Sequence, residues 1–223
     1  VELAENVELI SHVAVSGKTW IGNKTKIWPF ASIGHQPQDL KYKGETSELI
    51  IGENNLIRES VSINTGTSGG GGLTKIGNNC LLMLGSHVGH DCALGDNIVL
   101  ANHSALGGHV TLANHVIIGG LSGVHQFVRI GEGAIIGALS MITSDVIPFA
   151  AVYGERPKLA GLNLIGLKRR GLKKNDITEL RKAFKLLFKK EKTLKIRSKN
   201  ILSNNRNPYV LKMVSFVLDD NQR

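Results

Sequence analysis

Aliphatic residues recur at intervals of six along the first two thirds of the chain, and few folds accept that spacing. The series runs without a miss through Ile76, Leu82, Val88, Leu94, Leu100, Leu106, Leu112, Ile118, Val124, Ile130, Ile136 and Ile142. Upstream, the same interval links Leu3, Leu9, Val15, Ile21, Ile27 and Ile33, then Ile51, Ile57 and Ile63. An amphipathic helix needs apolar spacing near 3.6, and a half-buried strand needs 2. A strict six fits a parallel β-helix, in which each hexad gives one short strand and one turn and three hexads close a coil. Each aliphatic then points inward and stacks on its equivalent one coil later, about 4.8 Å along the axis. Small or branched side chains such as Cys80, Ser86, Cys92, Ser104, Val110 and Ser140 fill the fourth position after the aliphatic. With 26 glycines and only 5% aromatic residues, the core must be built from small and aliphatic groups.

Two stretches interrupt the count: residues 35–48 (HQPQDLKYKGETSE) and residues 64–75 (NTGTSGGGGLTK). Both are expected as excursions from corners of the prism, where long loops often carry function. The run Gly69–Gly72 lacks the Gly-Lys-Ser/Thr ending and the following helix of a phosphate loop, so a mobile loop is expected.

The formal charge of +9 is not spread evenly. Residues 1–165 hold 10 basic and 13 acidic side chains, whereas residues 166–206 hold 15 and 3. The basic segment follows Pro157, where the hexads end. There Asn175 or Asp176 is expected to cap a helix with Ile177, Leu180, Phe184, Leu187 and Phe188 on its apolar face. Leu202, Tyr209, Val210, Met213, Phe216 and Val217 imply further helix, broken near Pro208. Lys173, Lys174, Arg181, Lys182, Lys185, Lys189 and Lys190 lie between these apolar positions. A nucleic-acid-binding module is disfavoured, because no helix-turn-helix, zinc site or aromatic platform accompanies the charge.

Cys80 and Cys92 fall on inward positions without a C-x-x-C pattern, which excludes a disulfide framework and fits a cytoplasmic, reducing compartment. The least charged stretch, Ala134 to Val152, contains Ser140, Thr143, Ser144, Asp145 and Pro148, so no membrane span is expected. The sequence opens at Val1 inside the repeat, and earlier coils are expected to precede it.

Folding the sequence by eighteens aligns His90, Gly108 and Gln126 on one vertical line. Gly89, Gly107 and His125 form the neighbouring line, and Asp91, His109 and Phe127 the one beyond. With His87, four of the eight histidines gather at one corner over three coils, while His12, His35, His103 and His115 fall elsewhere. Imidazoles beside glycines suit acid–base work near neutrality. They also suit metal binding, as in a zinc γ-type carbonic anhydrase using His87, His103 and His109, although His103 belongs to another part of the coil.

The segments His87-Val-Gly-His90-Asp91-Cys92, Gly107-Gly108-His109, Val124-His125-Gln126-Phe127, Gln38-Asp39-Leu40-Lys41-Tyr42 and Gly166-Leu-Lys-Arg-Arg-Gly171 together resemble the bacterial UDP-N-acetylglucosamine 3-O-acyltransferases, which begin lipid A synthesis. The resemblance covers essentially the whole chain. It implies a left-handed parallel β-helix over residues 1–157, then a helical domain over 158–223. It also implies (3R)-hydroxyacyl transfer from an acyl carrier protein thioester to the sugar 3-hydroxyl, without cofactor or metal, in a homotrimer with active sites between neighbours.

In that resemblance His90 matches the general base, Asp91 its orienting partner and Gly108 the oxyanion donor. His87, His109, His125 and Gln126 match the sugar-nucleotide pocket, with Gln38, Asp39 and Lys41 from the loop. Asn163, Arg169 and Arg170 match nucleotide contacts, the arginines as a fork for diphosphate. Ala138 matches a position that bounds acyl length. One departure is Ile165, where the pattern often has glutamate, which calls a ribose contact there into question. The basic helices would dock the acidic carrier protein. The related N-acyltransferase of the same pathway is the nearer rival, and the Lys-Arg-Arg-Gly segment favours the O-acyltransferase.

Overall fold

The computed structural model describes residues 1–189 and 191–219, so Lys190 lies outside the described residues. The hexads fold as expected into a three-sided, left-handed parallel β-helix. Each hexad contributes a strand, most of them of two residues, and successive strands visit three sheets in rotation. The register is set by one coil: His87 pairs with Ala105, and Ala105 with Gly123. The inward aliphatics from Ile76 to Ile142 are all 4% exposed or less. Leu3 and Leu9, on the first coil, are 47% and 39% exposed because no described coil stacks beneath them.

From Asn79 to Leu139 every sixth residue turns a corner in the left-handed region, whether or not it is glycine. Asn97, His103, His109 and His115 have φ of 58°, 56°, 62° and 62°. An L-residue pays about 1–2 kcal/mol there. In return its N–H points along the axis: that of His109 donates to His90 O at 2.9 Å, and that of Phe127 to Gly108 O at 3.1 Å. The corners can therefore carry functional side chains without breaking the ladder. Cys80 and Cys92 are buried inward, as expected, and burial pushes their thiols up to about 11 and about 12.

Both interruptions leave from the same corner. The strand Ser32–His35 is followed across it by Glu48–Ile51, and Ser62–Asn64 by Leu73–Ile76. The corner that gathers the histidines is thus also the one that carries both loops.

At the far end, strand Ala150–Tyr153 pairs antiparallel with Lys158–Leu162, so strand persists past Pro157. Helices α1 (Leu164–Arg169), α2 (Lys174–Leu187), α3 (Leu194–Asn204) and α4 (Pro208–Leu218) follow. Phe149, fully buried, joins the end of the β-helix to a second core of Leu167, Ile177, Leu180, Leu187, Val210 and Met213.

The expected cap of α2 is corrected. Its N-terminus is at Lys173, without a side-chain cap, and Asp176 sits in the first turn. There its carboxylate favours the helix dipole and accepts the Nδ2–H of Asn207 at 2.9 Å. Asn207 in turn caps α4, with Pro208 at the first helical position, where its missing N–H costs nothing. Phe188, expected on the apolar face of α2, is 39% exposed beyond its last turn. No helix among the described residues is long and apolar enough to cross a membrane.

Candidate active site

The vertical lines read from the sequence exist in the structure. His90, 7% exposed, follows the strand His87–Val88, and its ring lies over Gly108 one coil on. A Cβ at residue 108 would fall 2.4 Å from His90 Cε1 and 2.5 Å from Nε2, so only glycine lets the ring lie there. His90 Nδ1 is 2.8 Å from Asp91 Oδ2. A carboxylate can only accept, so Nδ1 carries the proton and Nε2 is left as the basic nitrogen. The backbone ladder takes the N–H of Gly107, to Val124 O, and of His109, to His90 O. The Gly108 N–H between them has no partner among the described residues and remains available to an incoming oxygen.

Around this pair the other groups close in. His109 stands edge-on to His90 with ring centroids 5.1 Å apart, and stacks on Phe127 at 4.3 Å. Its Nε2 is 3.7 Å from Asp91 Oδ2. Burial lowers the His109 pKa, opposed by the charge of Asp91, lowered further by His90 and raised by Asp39. The loop that carries Asp39 leaves this corner after His35 and returns to it at Glu48. His87 Nδ1 is 2.8 Å from Ser62 Oγ, and burial, then the neighbouring His90, lowers its pKa. Both imidazoles therefore resist protonation more than a free imidazole does. His125 and Gln126 are exposed two coils beyond His87 and His90, with His125 Nδ1 3.2 Å from Gln126 O.

Two expectations about this corner are corrected. The glycine-rich segment is not a free loop. It forms a 3₁₀ turn at Ser68–Gly70 and folds onto Asp91, whose Oδ1 accepts the Thr67 N–H at 2.8 Å and whose Oδ2 accepts the Thr67 hydroxyl at 2.6 Å. His35 does not fall elsewhere: its partner is Asn64, beneath the histidine line. The insertion had displaced the count, which hid both.

The metal reading does not assemble its three imidazoles, because His103 stands over Gly85 at a different corner. His90, Asp91 and His109 do bring potential ligand atoms within 4.8 Å of one another. The facing nitrogen of His90 and both Asp91 oxygens are, however, taken up in hydrogen bonds.

A family profile described as Udp N-acetylglucosamine O-acyltransferase, domain 2, matches residues 145–223. The acyl-[acyl-carrier-protein]–UDP-N-acetylglucosamine O-acyltransferase of Paracoccus denitrificans is 48% identical over 88% of this chain and 75% of its own length. The chain belongs to this O-acyltransferase family. Its counterpart from Nautilia profundicola is 47% identical over 89% of this chain and 77% of its own. The solved structure of LpxA from Acinetobacter baumannii matches with a TM-score of 0.95 at 40% identity, covering 99% of this chain and 87% of that one.

For an O-acyltransferase of this family, the remaining expected residues fall in three places. Gln38 and Lys41 are exposed on the histidine-side loop, where Asp39 Oδ1 accepts the Lys41 N–H at 2.9 Å. Asn163, Arg169 and Arg170 belong to another corner, that of Gly133. Asn163 caps α1 through Gly166 N and donates its Nδ2–H to Gly133 O at 3.1 Å, which commits its amide. The expected arginine fork is not formed within the chain. Arg170 turns inward over Phe149, 5.6 Å from the ring centroid, into space left by Gly133, and burial lowers its pKa. Its Nη2 is buried without a partner among the described residues, while Arg169 stays exposed. Ala138 is exposed at the third corner, above Gly119, away from His90. Ile165 is 66% exposed.

Proposed function

We propose that His90 is the general base and the Gly108 N–H the oxyanion donor of this O-acyltransferase. The reaction moves a (3R)-hydroxyacyl group from the thioester of acyl carrier protein to the 3-hydroxyl of UDP-N-acetylglucosamine, the first step of lipid A synthesis. His90 Nε2 takes the hydroxyl proton as the sugar oxygen forms its bond to the thioester carbonyl carbon. The carbonyl oxygen gathers negative charge within reach of the Gly108 N–H. The carbon–sulfur bond then breaks, and the imidazolium returns its proton to the departing sulfur. Asp91 holds Nδ1–H and favours the imidazolium between the two transfers. The observation that carries this reading is the 2.8 Å bond from His90 Nδ1 to Asp91, with the ring laid over Gly108. His90→Ala is expected to lower kcat by about 10³-fold in a carrier-protein assay while the melting temperature holds. Wild-type turnover in that variant would refute the base.

Around this centre we assign His87, His109, His125, Gln126, Gln38, Asp39 and Lys41 to the sugar nucleotide. Asn163, Arg169 and Arg170 lie at a different corner of the same chain, so they can serve this site only from a neighbouring copy. Ala138 would bound the acyl groove in the same way. The outward line Leu56, Leu81, Val99, Ile117 and Ile135 on one sheet supplies an apolar face for such packing, in the homotrimer the family resemblance implies.

Mixing His90→Ala with Arg169→Ala subunits tests shared sites. In random closed assemblies about a quarter of the sites are intact, so activity returns to about a quarter of wild type. No recovery would place both sets in one chain's site. The repeat body, 1–157, would then do the chemistry and 158–223 the recruitment. Exposed Lys173, Lys174, Arg181, Lys182, Lys185 and Lys189 would draw in the acidic carrier in the cytoplasm.

A further inference from the structure

The histidine corner contains a group of contacts that the acyl-transfer steps above do not use. We propose that Thr67 is a positioning residue for this reaction, acting through Asp91 to set the orientation and basicity of His90. The proposal rests on His90 being the base.

The Asp91 side chain is only 1% exposed and therefore depends on protein donors for its charge. Thr67 supplies two of them, its N–H to Oδ1 and its hydroxyl to Oδ2, at 2.8 and 2.6 Å. The second oxygen also receives His90 Nδ1–H at 2.8 Å, so the threonine hydroxyl and the imidazole share one acceptor. From the other side of the glycine run, Thr74 Oγ1 accepts the N–H of Asp91 at 2.8 Å. Threonines at both ends of the segment thus grip residue 91 by side chain and backbone.

The glycines make that grip possible. A Cβ at residue 70 would sit 2.1 Å from Asp91 Cγ, and one at residue 66 would sit 2.8 Å from Oδ1. The clamp is also anchored outward. Glu45 Oε1 accepts both the N–H and the hydroxyl of Ser68 at 3.2 Å, and three backbone N–H groups lower the Glu45 pKa to about 2. Glu45 belongs to the loop that bears Asp39 and Lys41, so the loop facing the sugar and the support of the base are tied together.

The shared oxygen gives the proposal a signature. The threonine proton draws charge from Oδ2 and so weakens the pull of Asp91 on the imidazolium. Removing that hydroxyl leaves a stronger acceptor, and the acid limb of the kcat/KM profile, where His90 becomes protonated, moves to higher pH. It also frees the carboxylate to turn, which lowers kcat.

Thr67→Val keeps the shape and the N–H but loses the hydroxyl; Thr67→Ser restores it. The valine variant is expected to lose about 10-fold in kcat, with KM for the sugar nucleotide within about twofold and an acid limb displaced upward. The serine variant returns both to near wild type. In an Asp91→Asn background the valine change should cost nothing more, because its route is gone. Wild-type kcat and pH limb in Thr67→Val, a serine variant as slow as the valine, or losses that multiply in the double variant would each overturn the proposal. If Thr67→Val does not fold, Thr67→Ala is read by the same criteria. His90→Ala, assayed in parallel, separates the two readings. Normal turnover there removes the base assignment, whereas a dead His90→Ala beside a normal Thr67→Val removes only the clamp.

Discussion

His103 and His109 occupy the same slot of successive turns, with φ of 56° and 62°, yet only His109 stands against the His90–Asp91 pair. His103 rests on Gly85, in a line that continues through the exposed Leu121 and Leu139. His109 lies in line with Asp91 and Phe127, edge-on to His90. The backbone treats both corners alike: each has its left-handed residue and each returns an N–H to the coil below. The difference comes from the vertical neighbours and from the two inserted segments, which leave only from the histidine corner. A hexapeptide repeat therefore provides equivalent slots, and chemistry arises where a column and an insertion meet.

The largest contrast between the corners should appear in their polar residues. Asp91→Asn, which keeps the shape but exchanges a carboxylate for an amide, is expected to lower kcat by about 10²-fold. His103→Gln should stay within about twofold, since its ring rests on Gly85 and touches none of the residues assigned to the reaction. Steady-state kinetics with saturating acyl carrier protein decides between them, and a slow His103→Gln would break the comparison.

A smaller effect tests the burial of His87. Its folded pKa lies below the unfolded value of about 6.5, because burial and His90 disfavour its charge. Above that pH both states are neutral there and nothing is gained or lost. As pH falls below it, the unfolded chain takes up a proton that the folded chain resists, so stability declines. The melting temperature of wild type should therefore drop more between pH 7.5 and 5.5 than that of His87→Gln, by a few degrees. Parallel slopes would show that His87 is not held neutral by the fold.

The periodic part of this architecture could be read in advance. Ile76 to Ile142 give the inward line directly, and adding eighteen puts Gly108 and Gln126 above His90, because every coil between has the same length. The reading stops where length varies. His35 and Asn64 are paired although they stand 29 residues apart, and no period discloses that. Thr67 was hidden for a related reason: a run of glycines carries no pattern, and its partner Asp91 is 24 residues away. Asn163 and Arg170 depended on the second core around Phe149, and their commitment to a helix cap and an aromatic face is set by tertiary packing. Asn175 and Asp176 have the chemistry of a cap, but α2 begins earlier, with Lys173 at the N-cap position, and Asp176 is taken up by Asn207.

The central claim is that the geometry above His90, and not the corner as such, makes the active site. Gly108 and Gly120 occupy the same slot at neighbouring corners. A Cβ at residue 108 would press on His90 Cε1 and Nε2 at 2.4 and 2.5 Å, whereas one at residue 120 would meet only Asn102 O at 3.3 Å. The most direct measurement is therefore kcat for Gly108→Ala against Gly120→Ala at matched melting temperature. The account predicts a loss of about 10²-fold or more in the first and turnover near wild type in the second. Equal activities in the two variants would contradict it.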